Sequence, residues 1–312
     1  MSTMAMKTRW QNSDSIFQRL CWVSAIMIAV LLAAILVSLF MGAAPALKEF
    51  GFGFLFSTEW NPVTEEFGAA NALYGTLISS FIAIVLALPV SLAISIFLTE
   101  LAPSWMAHIA STAIELLAAV PSIIYGMWGL FVFAPWFSEH FQMWALDNLS
   151  DIPVLGTIFS GPPMGVGLLT AGIILAFMIL PILTALIKEA LSTVPNVMRE
   201  ASYGIGANRW EVTRHVLVPA VRSAIVGAVI LALGRALGET MAVTFVIGGA
   251  QDMNSSLFMP ATSVSATIAE QFNEATGDMH ISSLLALGLL LFVITFIVMA
   301  AARLLMKRKR TV

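Results

Sequence analysis

Residues 199–249, REASYGIGANRWEVTRHVLVPAVRSAIVGAVILALGRALGETMAVTFVIGG, decide the fold. The first part of this stretch is polar and carries four arginines, whereas the part from about 223 to 249 is apolar and long enough to cross a bilayer. Arg235 and Glu239 lie inside the apolar part, four residues apart, so in a continuous helix they share one face and can pair. The order predicts a water-facing loop that leads into a spanning helix with two internal charges. We expect the loop to take a mechanical input that the helix uses to gate a path for an anion.

The composition of the whole chain is that of a membrane protein. Of its 312 residues, 59% are hydrophobic and 11% are charged, and the mean hydropathy is +0.92; soluble domains carry about a quarter charged residues. Charged residues separate apolar blocks that are each long enough to span the hydrocarbon core. We therefore expect an all-α membrane protein with six transmembrane helices, near 20–42, 74–99, 109–136, 165–187, 223–249 and 282–305.

The positive charges indicate the orientation of the chain. Lysine and arginine gather before the first span, between the fourth and fifth spans, and after the sixth span. Such residues are enriched in the cytoplasmic connections of membrane proteins. We therefore predict that both termini and the loop 188–222 face the cytoplasm.

Five parts follow along the chain. We expect a cytoplasmic tail at 1–19, the first transmembrane helix at 20–43, an extracytoplasmic loop at 44–73, a transmembrane core at 74–305 and a basic cytoplasmic tail at 306–312. The first apolar run is longer than the apolar region of a signal peptide, so we interpret it as a retained anchor.

The predicted outer connections are acidic, with eleven carboxylates in three segments. Two interpretations stay open: these are solvated loops, or they form a docking surface for an extracytoplasmic partner. The carboxylates are Glu49, Glu59, Glu65, Glu66, Glu139, Asp147, Asp151, Asp252, Glu270, Glu274 and Asp278.

Several kinds of chemistry have no support in the sequence. The chain has no G-x-x-x-x-G-K-[ST] phosphate loop, so it cannot hold ATP in that manner. Its four histidines lack metal-ligand spacing, and its single cysteine, Cys21, excludes a disulfide within the chain. We expect no metal, no cofactor, no nucleic-acid partner and no enzymatic activity.

Three charged residues lie deep inside predicted spans, away from their ends: Glu115, Arg235 and Glu239. Each costs about 2.5–3.5 kcal/mol inside the hydrocarbon, so such residues usually face a bundle interior or a wet cavity. One interpretation is that Arg235 and Glu239 neutralise each other and stabilise the packing. The other is that Arg235 donates hydrogen bonds to an oxyanion, with Glu239 holding or releasing it. Glu115 is a second candidate partner for Arg235, or it reaches a backbone or hydroxyl group.

The polar loop 199–219 resembles the EAA loop shared by membrane subunits of binding-protein-dependent ABC importers. That pattern is E-A-A, three residues, G, nine residues, then I-x-L-P. Glu200, Ala201, Gly206 and Pro219 match in register, while small or apolar residues replace the other members of the pattern. The resemblance implies that this loop docks into an ATPase cleft, fixed electrostatically by Glu200 and nearby arginines.

A wider resemblance extends from about residue 70 to the end. The segments FLTELAP (97–103), ELLAAVPSIIYGMWGLFVFAP (115–135), EASYGIGANRWEV (200–212) and LGRALGETMAVTFVIG (233–248) are similar to the phosphate-specific permease family PstC. This resemblance implies a type I ABC importer permease (MetI-like) fold in the bacterial inner membrane. It also implies inward phosphate transport with a PstA-like sister permease, a PstB-like ATPase dimer and a periplasmic PstS-like phosphate-binding protein. The family associates the intramembrane Arg and Glu of GRALGET with phosphate passage, which corresponds to Arg235 and Glu239.

Two alternatives remain beside the phosphate permease. Composition does not separate this chain from a permease for another oxyanion, such as sulfate or molybdate, because one cationic side chain does not distinguish tetrahedral anions. An ion-coupled secondary transporter, with Glu239 or Glu115 as the titrating site, is the other alternative. A secondary transporter has no need of the 199–219 loop.

Overall fold

The computed structural model describes residues 2–308, with side chains from 17 to 304. These residues form an almost entirely helical bundle, interrupted by one short β-hairpin. The hairpin strands are β1 (Trp60–Asn61) and β2 (Glu66–Phe67), paired antiparallel. The helices are α1 (Ser2–Phe50), α2 (Ala70–Ile96), α3 (Ser104–Ala118), α4 (Ser122–Trp128), α5 (Ala134–Phe137), α6 (Met143–Leu149), α7 (Leu155–Ile158), α8 (Leu168–Ser192), α9 (Asn196–Gly204), α10 (Arg209–Val212), α11 (Val218–Ala220), α12 (Arg222–Leu237), α13 (Met241–Ile247), α14 (Val264–Gln271) and α15 (Asp278–Arg308).

Short stretches of non-α helix continue several of these helices. A 3₁₀ helix follows α1, and π-helical turns follow α2, α4, α5 and α10. The 3₁₀ helix is Gly51–Leu55, and the π-helical turns are Phe97–Leu101, Gly129–Phe133, Ser138–Gln142 and Thr213–Leu217.

The described part of the chain has four helices long and apolar enough to cross a bilayer by themselves. They are Phe17–Leu55, Ala70–Leu101, Leu168–Ser192 and Asp278–Leu304. Two pairs of helices are apolar enough to span the bilayer when each pair is taken together. In the first pair, α3 and the helical stretch that begins with α4 are bent by 91°. In the second pair, the α10–α11 stretch and α12 are bent by 68°. The number of spans agrees with the predicted six when each bent pair counts as one.

The first helix is longer than expected. α1 begins at Ser2, so the segment predicted as a tail at 1–19 continues directly into the helix from residue 2. α1 packs chiefly against α15, where the Ala46 N–H donates to Ser282 Oγ at 3.0 Å. Most of its apolar surface stays exposed in the isolated chain, as a membrane helix at the edge of a bundle requires.

The centre of the bundle is α8. It packs most extensively on α2 and also contacts α3, α12 and α13. Its buried face is a continuous row of large aliphatic side chains, and a hydroxyl links it to α2 because Ser95 Oγ donates to the Thr184 carbonyl at 3.0 Å. Pro181 lies inside α8 and Pro89 lies inside α2 without ending either helix. The α2–α8 pair therefore forms the common core on which the other spans pack.

The third span is not the single helix expected over 109–136. α3 ends at Ala118, and α4 begins at Ser122 after a sharp bend. Pro121 is the cause: it has no N–H to donate, and it pushes the residue before it away from the α conformation. Pro121 itself has extended torsion angles, φ −57° and ψ 138°.

The fifth span, expected as one helix over 223–249, is also broken. α12 ends at Leu237 and α13 begins at Met241, and Gly248, at φ +99°, ends α13 in the left-handed region. Glycine is a poor helix former, and Gly238 lies in the break. Glu239 therefore lies outside the helix that carries Arg235, and the prediction that both share one helix face is wrong.

The connections predicted to lie outside the cell membrane contain structure that the sequence pattern did not reveal. Besides the hairpin, the loop between α13 and α15 holds α14, whose first residues are buried and whose start is capped by the Ser263 side chain. The segment before α14 pairs with the residue that follows α13, through a parallel β-bridge between Ala261 and Gly248. At Gly75 of α2 this segment comes so close that a Cβ would overlap the Thr262 carbonyl oxygen.

We predict that Gly75→Ala lowers the free energy of unfolding by about 1–3 kcal/mol, the usual cost of forcing an extra carbon into a packed interior. Gly288→Ala is the matched control, because its Cβ would meet Leu39 and Ile268 at ordinary distances of 3.7 and 3.8 Å. Thermal unfolding of the detergent-solubilised protein measures both. Equal midpoints for the two variants would contradict the close approach at Gly75.

Candidate functional site

The two broken spans pack on each other immediately beyond their breaks. α4 and α13 cross so closely that a Cβ at Gly126 would lie 2.9 Å from Ala242 Cα. Because α4 starts after the break at 119–121 and α13 after the break at 238–240, both breaks lie at the same end of this packed pair. Non-helical backbone at membrane depth is tolerated only where protein buries it or a wet cavity adjoins it. The two breaks therefore mark one candidate site.

Arg235 lies in the last turn of α12, at the edge of this site. Its side chain is exposed, and its positive charge is close enough to Tyr125 of α4 to act on the hydroxyl. Tyr125 O–H in turn donates to the Leu117 carbonyl at 2.9 Å, across the break in the third span. Among the side chains described between 17 and 304, the guanidinium of Arg235 has no ion pair and no hydrogen bond. It is therefore free to donate to a ligand.

Glu239 has a different partner from the one expected. Its Oε1 accepts the Ala242 N–H at 3.3 Å, so the carboxylate caps the start of α13. A helix start has unpaired N–H groups and favours a negative charge. The expected contact between Glu239 and Arg235 is absent from the part of the chain that the structure describes, and the interpretation as a neutralising helical pair fails with it.

Glu115 lies on α3, one turn before the break, and is exposed. Within the described range it contacts neither Arg235 nor any other hydrogen-bonding group that the structure records. Tyr125, which the sequence analysis did not single out, is instead the residue of the third span that lies near Arg235. The sequence feature that could have singled out Tyr125 is its position as a lone tyrosine in an apolar span, four residues after a proline.

An apolar groove lies beside Tyr125, between α3, α4 and α8. It has a volume of about 420 Å³ and no charged residue in its lining. Such a surface cannot hold an anion, but it suits contact with another apolar surface. The lining residues are Leu117, Val120, Ile124, Tyr125, Trp128, Phe177, Leu180 and Pro181.

The four residues expected to couple to an ATPase lie in one exposed segment. Glu200 and Ala201 are exposed on α9, and Gly206 is exposed in the turn that follows it. Pro219 is exposed in α11, which continues directly from the π-helical turn Thr213–Leu217.

Two local features shape this segment. Gly206 has φ +92°, a conformation that side chains disfavour, and it turns the chain between α9 and α10. Asn208 and Glu211 then form a capping box at the start of α10: Glu211 N–H donates to Asn208 Oδ1 at 3.0 Å, and Asn208 N–H donates to Glu211 Oε2 at 2.8 Å.

The segment also exposes large apolar side chains. Val197, Ile205 and Trp210 are 72%, 87% and 65% exposed, while Val212 and Leu217 are fully buried and hold the segment against the bundle. Exposed apolar residues among charges are typical of a protein-binding surface.

Arg199, at the start of this segment, does not face outward. Its Nη2 pairs with Glu100 Oε1 at 3.2 Å, and its side chain is only 16% exposed. Glu100 is the one acidic residue in the short connection between the second and third spans. That isolated carboxylate was the sequence feature that could have predicted a partner for Arg199.

Three of the acidic residues predicted to lie outside can be placed relative to their neighbours. Glu65 and Glu274 line an open cavity of about 530 Å³ beside His280, whereas Glu270 lies near the turn at Gly249. Partial burial raises the pKa of the Glu270 carboxyl above its ordinary value. Docking on these loops stays a prediction.

Comparison with known proteins gives close relatives over nearly the whole chain. Residues 69–311 match the family described as binding-protein-dependent transport system inner membrane component. The phosphate transport system permease protein PstC of Mesorhizobium japonicum is 53% identical over 300 residues, covering 96% of this chain and 92% of the relative. That of Haemophilus influenzae is 51% identical, covering 95% and 93%, and the probable one of Methanocaldococcus jannaschii is 34% identical, covering 96% and 95%.

Solved structures share the fold at low identity. A chain of a bacterial alginate ABC transporter, in complex with an alginate pentasaccharide-bound periplasmic protein, matches with TM-score 0.61 and 13% identity, covering 93% of this chain and 96% of that chain. A chain of the MetNI methionine ABC transporter in an inward facing conformation matches with TM-score 0.50 and 19% identity, covering 77% and 94%. The expected type I importer permease fold is thereby confirmed.

We predict that Glu239→Ala weakens the start of α13 and Glu239→Gln largely preserves it, because the amide oxygen still accepts the Ala242 N–H. Loss of a cap costs about 0.5–2 kcal/mol, so amide exchange in α13 should accelerate by about 2- to 30-fold in the alanine variant. Arg235→Gln is the control, since Arg235 takes no part in the cap. An equal acceleration in Arg235→Gln would instead indicate that the two charges act as a pair.

Proposed function

The chain belongs to the family of binding-protein-dependent transport system inner membrane components, among the phosphate transport system permeases of the PstC type, and we propose that it forms half of the path for phosphate import. It is a transport subunit of the inner membrane, with helices that span the membrane. The observation that carries the proposal for the path is the guanidinium of Arg235, which lies beside two broken spans and pairs with none of the side chains described between 17 and 304.

Phosphate passage suits the chemistry of this place. A guanidinium offers a planar fork of donors that matches two oxygens of an oxyanion, and its charge does not depend on pH. The carboxylate of Glu239 is held at the start of α13, so that within the described side chains the Arg235 guanidinium forms no ion pair and can bind an anion. Glu239 then limits how strongly the anion is held, and Glu115, exposed on α3, stays a candidate for the same path.

A second permease completes the path. The surface around the break in the third span exposes Ile109, Leu116 and Phe131 at 62%, 67% and 71%, next to the apolar groove beside Tyr125. A second transmembrane subunit that packs on this apolar surface covers it. The path for the anion then runs between the two subunits and not through lipid. We assign this place to a homologous, PstA-like permease.

ATP hydrolysis takes place on a separate PstB-like ATPase dimer, and this chain performs no bond chemistry. The segment from Glu200 to Pro219 docks on the ATPase through its exposed apolar residues. Both termini and this segment then lie in the cytoplasm, as the basic residues of the connections favour. A periplasmic PstS-like protein delivers phosphate to the acidic outer loops.

Transport proceeds by alternating access. The loaded binding protein docks outside, ATP binding closes the ATPase dimer, and the docked segment carries that closure into the bundle. The two permeases then open a path past Arg235, and hydrolysis resets the assembly. Reconstitution without the ATPase tests this scheme, because a secondary transporter would still move phosphate.

We predict that Arg235→Gln and Arg235→Lys both lower phosphate uptake by more than about tenfold, or about 1.4 kcal/mol in the barrier, while assembly with the partner subunits is unchanged. Lysine keeps the charge but loses the planar fork. Arg19→Gln is the control, since Arg19 is exposed on α1, away from the breaks. The measurement is uptake by cells whose only copy carries the substitution, normalised to assembled complex. Normal uptake in Arg235→Lys would contradict a shaped anion site.

The same cells decide between phosphate and other oxyanions. We expect unlabelled phosphate to abolish uptake of labelled phosphate, and equal concentrations of sulfate or molybdate to leave it nearly unchanged. Strong competition by sulfate or molybdate would favour the broader oxyanion permease.

We predict that Gly206→Ala reduces the ATPase activity stimulated by loaded binding protein, because a Cβ at φ +92° costs about 1–2 kcal/mol and alters the turn after α9. Gly204→Ala is the matched control two residues away: Gly204 ends α9 without a positive φ, and a Cβ there meets nothing within 4 Å. ATPase assays on the reconstituted complex measure both. Full stimulation in Gly206→Ala would count against its role in coupling.

A further inference from the structure

Arg199 forms an inward network at the start of the coupling segment. Its Nη2 pairs with Glu100 Oε1 at 3.2 Å and donates to the Leu191 carbonyl at 3.0 Å. Its Nη1 donates to the Val194 carbonyl and to Asn196 Oδ1, the latter at 3.3 Å. One side chain thus contacts four partners from three parts of the chain.

Three of these partners lie outside α9, in the two helices that form the core of the bundle or directly after them. Glu100 lies in the π-helical turn that extends α2, and the two carbonyls belong to the C-terminal end of α8 and the connection after it. The last carbonyls of a helix lack partners within the helix, and a positive charge stabilises that end. Glu100 is only 9% exposed, so its charge requires a partner nearby.

The rest of α9 is held loosely. None of its residues is buried, and the connection 193–195 joins it to α8. By contrast, α2 and α8 are the most extensively packed pair of the bundle, joined by the hydrogen bond from Ser95 to Thr184 one turn before Glu100. Arg199 is therefore the point at which the exposed helix is tied to the rigid core.

We propose that Arg199 and Glu100 are positioning residues that transmit the movement of α9 to the α2–α8 pair. The proposal rests on the proposed function, because it assigns the route by which ATPase closure reaches the transmembrane path. Without the clamp, α9 moves with the ATPase while α2 and α8 lag behind, so ATP is hydrolysed with less phosphate moved.

The test is a double-mutant cycle on the reconstituted complex of permeases, ATPase and binding protein. The variants are Arg199→Ala, Glu100→Ala and the double variant, with Arg199→Lys and Glu100→Gln as conservative changes. Glu189→Gln is the control, because Glu189 is an exposed acid at the same end of α8. The readout is the number of phosphate ions imported per ATP hydrolysed, normalised to the amount of assembled complex.

We expect this ratio to fall at least fivefold in each alanine variant, with no further fall in the double variant, because both single changes break the same link. Arg199→Lys keeps the charge but not the fork, so its ratio should lie between those of the wild type and Arg199→Ala. Glu189→Gln should match the wild type. A clamp that served folding alone would lower the yield of complex and leave the ratio unchanged.

A wild-type ratio in the assembled Arg199→Lys and Glu100→Gln complexes, together with a loss of assembly in the alanine variants, would overturn the proposal, as would additive effects in the double variant. The wild-type complex separates this outcome from a failure of the proposed function. If the wild-type complex itself imports no phosphate, the proposed function fails; if it does and the variants keep its ratio, only the clamp fails.

Discussion

The constraint on which this structure depends is that every backbone polar group in the hydrocarbon core must find a partner inside the protein. It makes the described chain almost entirely helical and restricts where a helix can break. The third and fifth spans both break, and α4 and α13 pack together directly beyond the breaks, with Gly126 against Ala242. Because the two helix breaks lie side by side, the irregular backbone of both spans is confined to one region. Arg235 lies at the edge of that region.

The charges around the core are then satisfied unequally. At the predicted cytoplasmic end, Glu100 and Arg199 neutralise each other, and Arg199 also donates to the Leu191 carbonyl at the end of α8. At the break in the fifth span, Glu239 caps a helix start, whereas Arg235 has a neutral neighbour in Tyr125. The first arrangement is suited to transmitting force, because it is closed by its own contacts. The second leaves the Arg235 guanidinium without a charged partner among the side chains described between 17 and 304.

Sequence reasoning succeeded where one residue type or spacing was sufficient. Composition predicted a membrane protein with six spans, and the EAA spacing predicted an exposed segment at 199–219. It failed where a helix break or a contact between distant residues decides the pairing. It placed Arg235 and Glu239 on one helix, although the helix ends at Leu237, and it did not pair Arg199 with Glu100, which is 99 residues away in the chain.

The sequence by itself determined the fold class, the family and the residues that carry charge into the membrane, because hydrophobic length and motif spacing are local properties. Only the tertiary structure decided which charges are paired. A helix break at a glycine depends on what packs around it, and the partner of Glu239 or Arg199 depends on which backbone groups the fold leaves unpaired nearby. Whether the Arg235 guanidinium is paired is thus decided by the folded helix bundle and not by the local sequence.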